Sequence, residues 1–166
     1  IHFPSTKKSA ERIIKLGEEP FRVHLVGAAG LDDVFNKKLI EPKILTKKFN
    51  LDLKKPIILV LQHPSSFEAV NSEKQMQITL EAVKEVGHKT IVIYPNADAG
   101  NRGIINIINK FIEEDNKKLI KAYRNLEHLE YLSLLSICSV MIGNSSGAVL
   151  EAPSFGLPVV NIGTRQ

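Results

Sequence analysis

From residue 56 onward the chain alternates two hydrophobic rhythms. Short unbroken apolar runs bounded by turn formers predict buried strands, first in PIILVLQHP (56–64), which ends at His63. Further strands are expected in KTIVIYPNADAG (89–100), which closes on a polar tip, in LIKAYRNL (119–126) and from Val140 to Ile142. A last one runs from Pro158 to Ile162. Between them, apolar residues at three- and four-residue spacing predict helices over EKQMQITLEAVKEVG (73–87), NIINKFIEED (106–115) and HLEYLSLLSIC (128–138). Gly143 to Gly147 reads as a turn and Ala148 to Phe155 as a short helix, kept short or kinked by Pro153. Strands alternating with helices imply βα units joined by right-handed crossovers, so the fold class is α/β with a parallel sheet flanked by helices.

The first 55 residues are less regular. STKKSAERIIKLGEE (5–19) carries a Ser or Thr cap followed by Ala10, Ile13, Ile14 and Leu16 at helical spacing. RVHLVGAAGLDDV (22–34) reads as a short strand and a Gly turn. Residues 36–55 are polar and Lys-rich with two weak apolar patches, and a linker or hinge is expected there. That divides the chain into 1–35, 36–55 and 56–166. The opening Ile1, and a close at Gln166 just past a strand without the helix an α/β unit adds next, predict a fragment whose last domain is incomplete.

Composition narrows the setting. The 166 residues are 43% apolar and 24% charged, enough for one well-buried domain. No apolar run approaches the roughly 20 residues that span a bilayer, and no signal segment is visible, so a cytoplasmic protein without a membrane partner is expected. Cys138, the sole cysteine, excludes an intrachain disulfide and a thiolate metal cluster, and its apolar surroundings predict a small buried residue. The net charge of +4 is scattered in doublets such as Lys7-Lys8, Lys37-Lys38 and Lys117-Lys118 with acidic residues between them. Aromatic residues do not interleave with the basic ones, so no nucleic-acid partner is expected. The five histidines show no metal-ligand spacing, so no metal is expected, nor any cofactor.

In a parallel sheet, ligands bind beyond the carboxyl ends of the strands. His63, the loop from Asn96 to Gly100, and the turn from Gly143 to Gly147 all fall at such ends. The turn has the makings of an anion cradle. The first N–H groups of the following helix lack intrahelical partners, Ser145 and Ser146 add hydroxyls, and Gly143 and Gly147 permit close approach. Helical side chains tilt toward the N-terminus, so Glu151 can reach back past the phosphate position toward the paired hydroxyls of a ribose. An ordinary Ser N-cap with a surface Glu has the same spacing. His63 before Pro64 can equally cap a turn, Asp98 can be a turn residue, and Arg165 a surface residue.

QHP (62–64), PNADAG (95–100) and above all IGNSSGAVLEAPSFGLPVVNIGTRQ (142–166) resemble the C-terminal domain of UDP-N-acetylglucosamine 2-epimerases, and more closely their hydrolysing branch. HFPSTKKSAERIIKLGE and VHLVGAAGLD, near the start, resemble the segment that leaves the first domain of that family. The resemblance implies a Rossmann-like domain, the second of a GT-B-type pair, with UDP-GlcNAc or UDP in the cleft. It implies contacts of Ser145, Ser146 and Gly147 with the diphosphate, Arg165 on the phosphate side, and Glu151 on the ribose. It places His63 as the catalytic histidine near sugar and diphosphate, Asn96 and Asp98 facing the sugar, and Leu126 in the segment whose backbone addresses the uracil.

The implied reaction eliminates UDP to give a 2-acetamidoglucal and adds water to release N-acetylmannosamine, for sialic-acid-type biosynthesis. The carboxylates that move protons are expected in a first domain this chain lacks, and the full-length enzyme is expected to be a homo-oligomer. A non-hydrolysing epimerase, a GT-B glycosyltransferase and a non-catalytic UDP-sugar-binding module are the alternatives.

Overall fold

The computed structural model describes residues 1–36, 38–65 and 71–166; Lys37 of the Lys37-Lys38 doublet lies outside them. The chain divides into two compact units, Ile1–Lys38 and Leu39–Gln166.

In the first unit, helix α1 (Lys7–Lys15) starts where the Thr6 hydroxyl accepts the Ser9 N–H at 3.1 Å. The strand expected after Arg22 reduces to one parallel bridge between His2 and Val23, followed by a 3-10 turn (Ala29–Leu31) and α2 (Asp32–Asn36). A lone bridge recruits too few partners for a strand, and Gly27, at φ +84°, breaks the extended run.

The second unit is built on five parallel strands in the order β3-β2-β1-β4-β5. They are β1 (Ile57–Leu61), β2 (Lys89–Ile93), β3 (Ile120–Tyr123), β4 (Val140–Gly143) and β5 (Val159–Asn161). The expected class, a Rossmann-like parallel sheet flanked by helices, is the observed one. All five β1 residues are buried, as a central strand covered on both faces requires. Ile58, Val60 and Val92 on one face pack with Met76, Leu80 and Val83 of α4 (Ser72–Val86) and with Ile104, Ile108 and Phe111 of α5 (Asn101–Glu113). From β1 to β3 the chain steps one way across the sheet; from β3 it returns past β1 to β4. Right-handed crossovers then set α6 (His128–Leu135) on the opposite face.

In the second unit three elements differ from the pattern reading. The Lys-rich 36–55 segment contains α3 (Pro42–Phe49), whose Leu45 and Phe49 are fully buried; Phe49 meets Tyr123 edge-on at 5.1 Å. Two apolar residues four apart make a narrow stripe, enough when α6 lies against it. Helix α5 begins at Asn101, five residues earlier than expected, after Gly100 at φ +95°. Its polar first turn hides the apolar period, and at Gly103 a Cβ would stand 2.9 Å from Glu73 Oε2, so a larger residue there would have to displace that side chain. The helix expected over 148–155 breaks into α7 (Gly147–Leu150) and a 3-10 turn (Ala152–Phe155) containing Pro153.

Candidate functional site

The strand order reverses between β1 and β4, and the crevice at such a reversal is where open α/β sheets bind ligands. Leu61 pairs with Gly143, so the chains leaving β1 and β4 emerge side by side. Gly143 lies at φ +142°, and a Cβ on it would stand 2.0 Å from the Leu61 carbonyl oxygen. Only glycine lets the two backbones run this close.

Asn144 follows, 2% exposed, and joins the two strand ends. Its Oδ1 accepts the His63 N–H at 2.7 Å and its Nδ2 donates to the His63 carbonyl at 2.9 Å, a two-point clamp on the residue that carries the imidazole. The Asn144 carbonyl accepts from Arg165 Nη1 at 2.9 Å. On the far side of the ring, the Asn96 N–H donates to His63 Nδ1 at 3.2 Å, and Asn96 Nδ2 donates to Asp98 Oδ2 at 2.7 Å. With Nδ1 accepting, the neutral ring carries its proton on Nε2. Burial lowers the His63 pKa from its ordinary 6.5 and Arg165 lowers it further, opposed by the Asp98 charge and the Asn96 side chain. The structure thus joins His63, Asn96, Asp98 and Arg165 into one polar node around Asn144.

The remaining candidates line a cavity of about 290 Å³ next to that node. Leu126, Ser145, Ser146, Gly147 and Glu151 face it, with Tyr131 of α6 beside them and Leu61 and Ile93 contributing apolar wall. Glu151 does reach back over the turn: its Oε2 would be 2.5 Å from a Cβ on Gly147. The cradle is less of a helix terminus than expected. α7 is a single turn, and the Gly147 N–H is taken by Ser145 Oγ at 3.3 Å. The groups here that could meet an anion are therefore the Ser146 hydroxyl, which makes no capping bond, Arg165 and His63 rather than a macrodipole.

Two contributors escaped the sequence reading. Asn144 had one signal, an amide directly after a buried strand and a glycine. Tyr131 had none, since an aromatic at helical spacing reads as core; its hydroxyl lies 3.5 Å from Glu151 Oε2. A larger cavity, about 340 Å³, lies by Val83, His88, Asp115 and Leu119 at the amino ends of β2 and β3. Parallel sheets do not bind substrates at that end, and Asp115 is spent there on the Ile120 N–H at 2.6 Å and the Lys117 N–H at 3.2 Å. Cys138 is half-buried rather than fully buried as expected, and burial pushes its thiol up to about 12, which disfavours the thiolate. Among the described residues no helix is long and apolar enough to cross a membrane.

Known proteins share this family and this fold. The family model described as UDP-N-acetylglucosamine 2-epimerase matches residues 1–166. The chain is 33% identical over 165 residues to the UDP-N,N'-diacetylbacillosamine 2-epimerase (hydrolyzing) of Legionella pneumophila, covering 99% of this chain and 43% of that protein. It is 31% identical to the GDP/UDP-N,N'-diacetylbacillosamine 2-epimerase (hydrolyzing) of Campylobacter jejuni, over 100% of this chain and 43% of that one. The fold matches the crystal structure of UDP-GlcNAc 2-epimerase from Neisseria meningitidis bound to UDP-GlcNAc, with a TM-score of 0.73 at 16% identity, over 96% of this chain and 43% of the other. The chain thus spans less than half the length of these relatives.

Proposed function

The chain belongs to the UDP-N-acetylglucosamine 2-epimerase family, and from that premise we propose that its five-stranded unit is the UDP-binding wall of a hydrolysing 2-epimerase. In this reading residues 56–166 are the C-terminal UDP-binding domain and 1–35 the end of a first domain and its connection; of the 36–55 segment expected as a hinge, α3 packs with the second unit, which leaves the hinge to the residues before Pro42. The observation that carries it is the Asn144 node, which sets an imidazole and a guanidinium at the switch point beside a cavity lined by Ser146 and Glu151.

In the whole enzyme a base from the other domain takes the C2 proton of UDP-GlcNAc. The C2–H electrons form the C1–C2 double bond, and the C1–O bond breaks toward the diphosphate. Water then adds across the 2-acetamidoglucal with inverted C2 to release N-acetylmannosamine. This chain's part is to receive charge on the leaving UDP. Nε2–H of His63 and the Arg165 N–H groups not spent on Asn144 are fixed before the charge forms, so they cost no reorganisation when it does. A bound diphosphate also opposes the burial and the Arg165 field that keep His63 neutral, which readies the ring as a proton donor. Glu151 takes the ribose hydroxyls, and Leu126 lines the base side.

A second substrate reading has a specific support: relatives at 33% and 31% identity are named for UDP-N,N'-diacetylbacillosamine, against 28% for the Neisseria meningitidis protein named UDP-N-acetylglucosamine 2-epimerase. The same elimination and hydration would run on that sugar. Incubating the whole protein separately with each nucleotide sugar and following products by NMR decides the matter. Free C2-inverted sugar plus UDP, without an acceptor, is expected. A nucleotide-linked epimer would point to the non-hydrolysing branch, and turnover of neither substrate would overturn the proposal.

A further inference from the structure

We propose that Tyr131 is a positioning residue that holds the Glu151 carboxylate for the ribose hydroxyls, an inference that rests on the reading of this cavity as a UDP site. Tyr131 comes from α6 and Glu151 from the end of α7, so neither element alone fixes their relation. They meet over Gly147. A Cβ there would stand 2.1 Å from the Tyr131 hydroxyl and 2.5 Å from Glu151 Oε2, so the missing side chain of Gly147 is the space in which phenol and carboxylate come together. All three line the same cavity as Ser145 and Ser146.

The chemistry of the pair is one-directional. Burial first, then the Glu151 charge and the contact with it, push the Tyr131 hydroxyl well above its ordinary 10.0, so it remains a protonated donor. A carboxylate offers two oxygens, and engaging Oε2 at 3.5 Å leaves the other for a sugar hydroxyl. The contact is at the long limit of a hydrogen bond, as is common in unliganded sites, with room to shorten on binding. Tying one oxygen also restricts rotation of the carboxyl group, so less freedom is lost when the ribose arrives.

The test compares UDP with 2'-deoxy-UDP, which lacks one of the two hydroxyls. Their dissociation constants are measured by calorimetry for the whole protein, Tyr131→Phe and Glu151→Gln. Phenylalanine keeps the ring and its packing and deletes only the donor. Tyr131→Phe should weaken UDP roughly threefold to tenfold and 2'-deoxy-UDP much less, so that preference for the ribonucleotide shrinks. Glu151→Gln should shrink it at least as far. If Tyr131→Phe weakens both ligands equally, or neither, while Glu151→Gln abolishes the preference, Tyr131 is packing and the inference falls alone. If Glu151→Gln leaves the preference intact, the ribose reading of Glu151 is wrong and takes this inference with it.

Discussion

The two halves of the site are held by opposite means. Around Asn144, position comes from polar groups that are present: a side-chain amide clamps the His63 backbone, its carbonyl steers Arg165, and a loop N–H fixes the imidazole. Around Gly147, position comes from an atom that is absent, since any Cβ would stand between Tyr131 and Glu151. The first half depends on buried hydrogen bonds, which are expensive to leave unmade. The second depends on space, which any enlargement removes. The two should therefore respond to different substitutions, and both should fail where they share a foundation, at Gly143.

Gly143→Ala is expected to have the largest effect. A Cβ 2.0 Å from the Leu61 carbonyl oxygen meets backbone, and φ +142° is strained for alanine, so the ends of β1 and β4 must separate. A loss of about 3 kcal/mol or more follows, seen as a lowered urea midpoint, together with loss of UDP binding at both halves. An unchanged midpoint would mean that the strand ends part freely and that the halves share no foundation.

Asn144→Ala should split the halves. It leaves the His63 N–H and carbonyl without their partners in a buried setting, costing about 2 kcal/mol, and releases the imidazole. In the whole enzyme kcat/KM should fall at least about tenfold, because a donor to the leaving diphosphate is no longer fixed. The preference for UDP over 2'-deoxy-UDP, which belongs to the Gly147 half, should persist. Its disappearance would show that the halves are one cooperative unit.

The smallest expected effect is a pH dependence confined to the Asn144 half. Burial and Arg165 hold the His63 pKa below 6.5, so as pH falls through 6.5 the unfolded chain takes up a proton that the folded one resists. Stability should decline below pH 6.5 and level off once the folded-state value is passed. His63→Gln should flatten that segment of the urea-midpoint profile relative to the parent protein; an identical slope in both would place the titration elsewhere.

The alternation of strand and helix was legible because its signals are local. Ile57–Leu61 is apolar without interruption, and Ile104, Ile107, Ile108 and Phe111 keep helical spacing, whatever lies far away in the chain. The convergence of the candidate residues was legible for the same reason: once the sheet is parallel, His63, Asn96 and the turn after Ile142 must lie at one rim. Glu151 reaching back over Gly147 follows from helical side-chain direction alone.

What only the tertiary structure decided is which of those rim residues touch, and which act through another. That β1 borders β4 rather than β5 is a pairing across some eighty residues, and no local pattern encodes it. The same distance hides the Asn144 clamp: a turn amide becomes an organiser only when its partner is the backbone of His63. Leu45 and Phe49 are a faint stripe in a Lys-rich segment until α6 covers them, and Tyr131 is one more apolar helix position until its hydroxyl meets Glu151. Hydrophobic periodicity is written into neighbouring residues, whereas a hydrogen bond or a missing Cβ acquires meaning only from what folding brings against it.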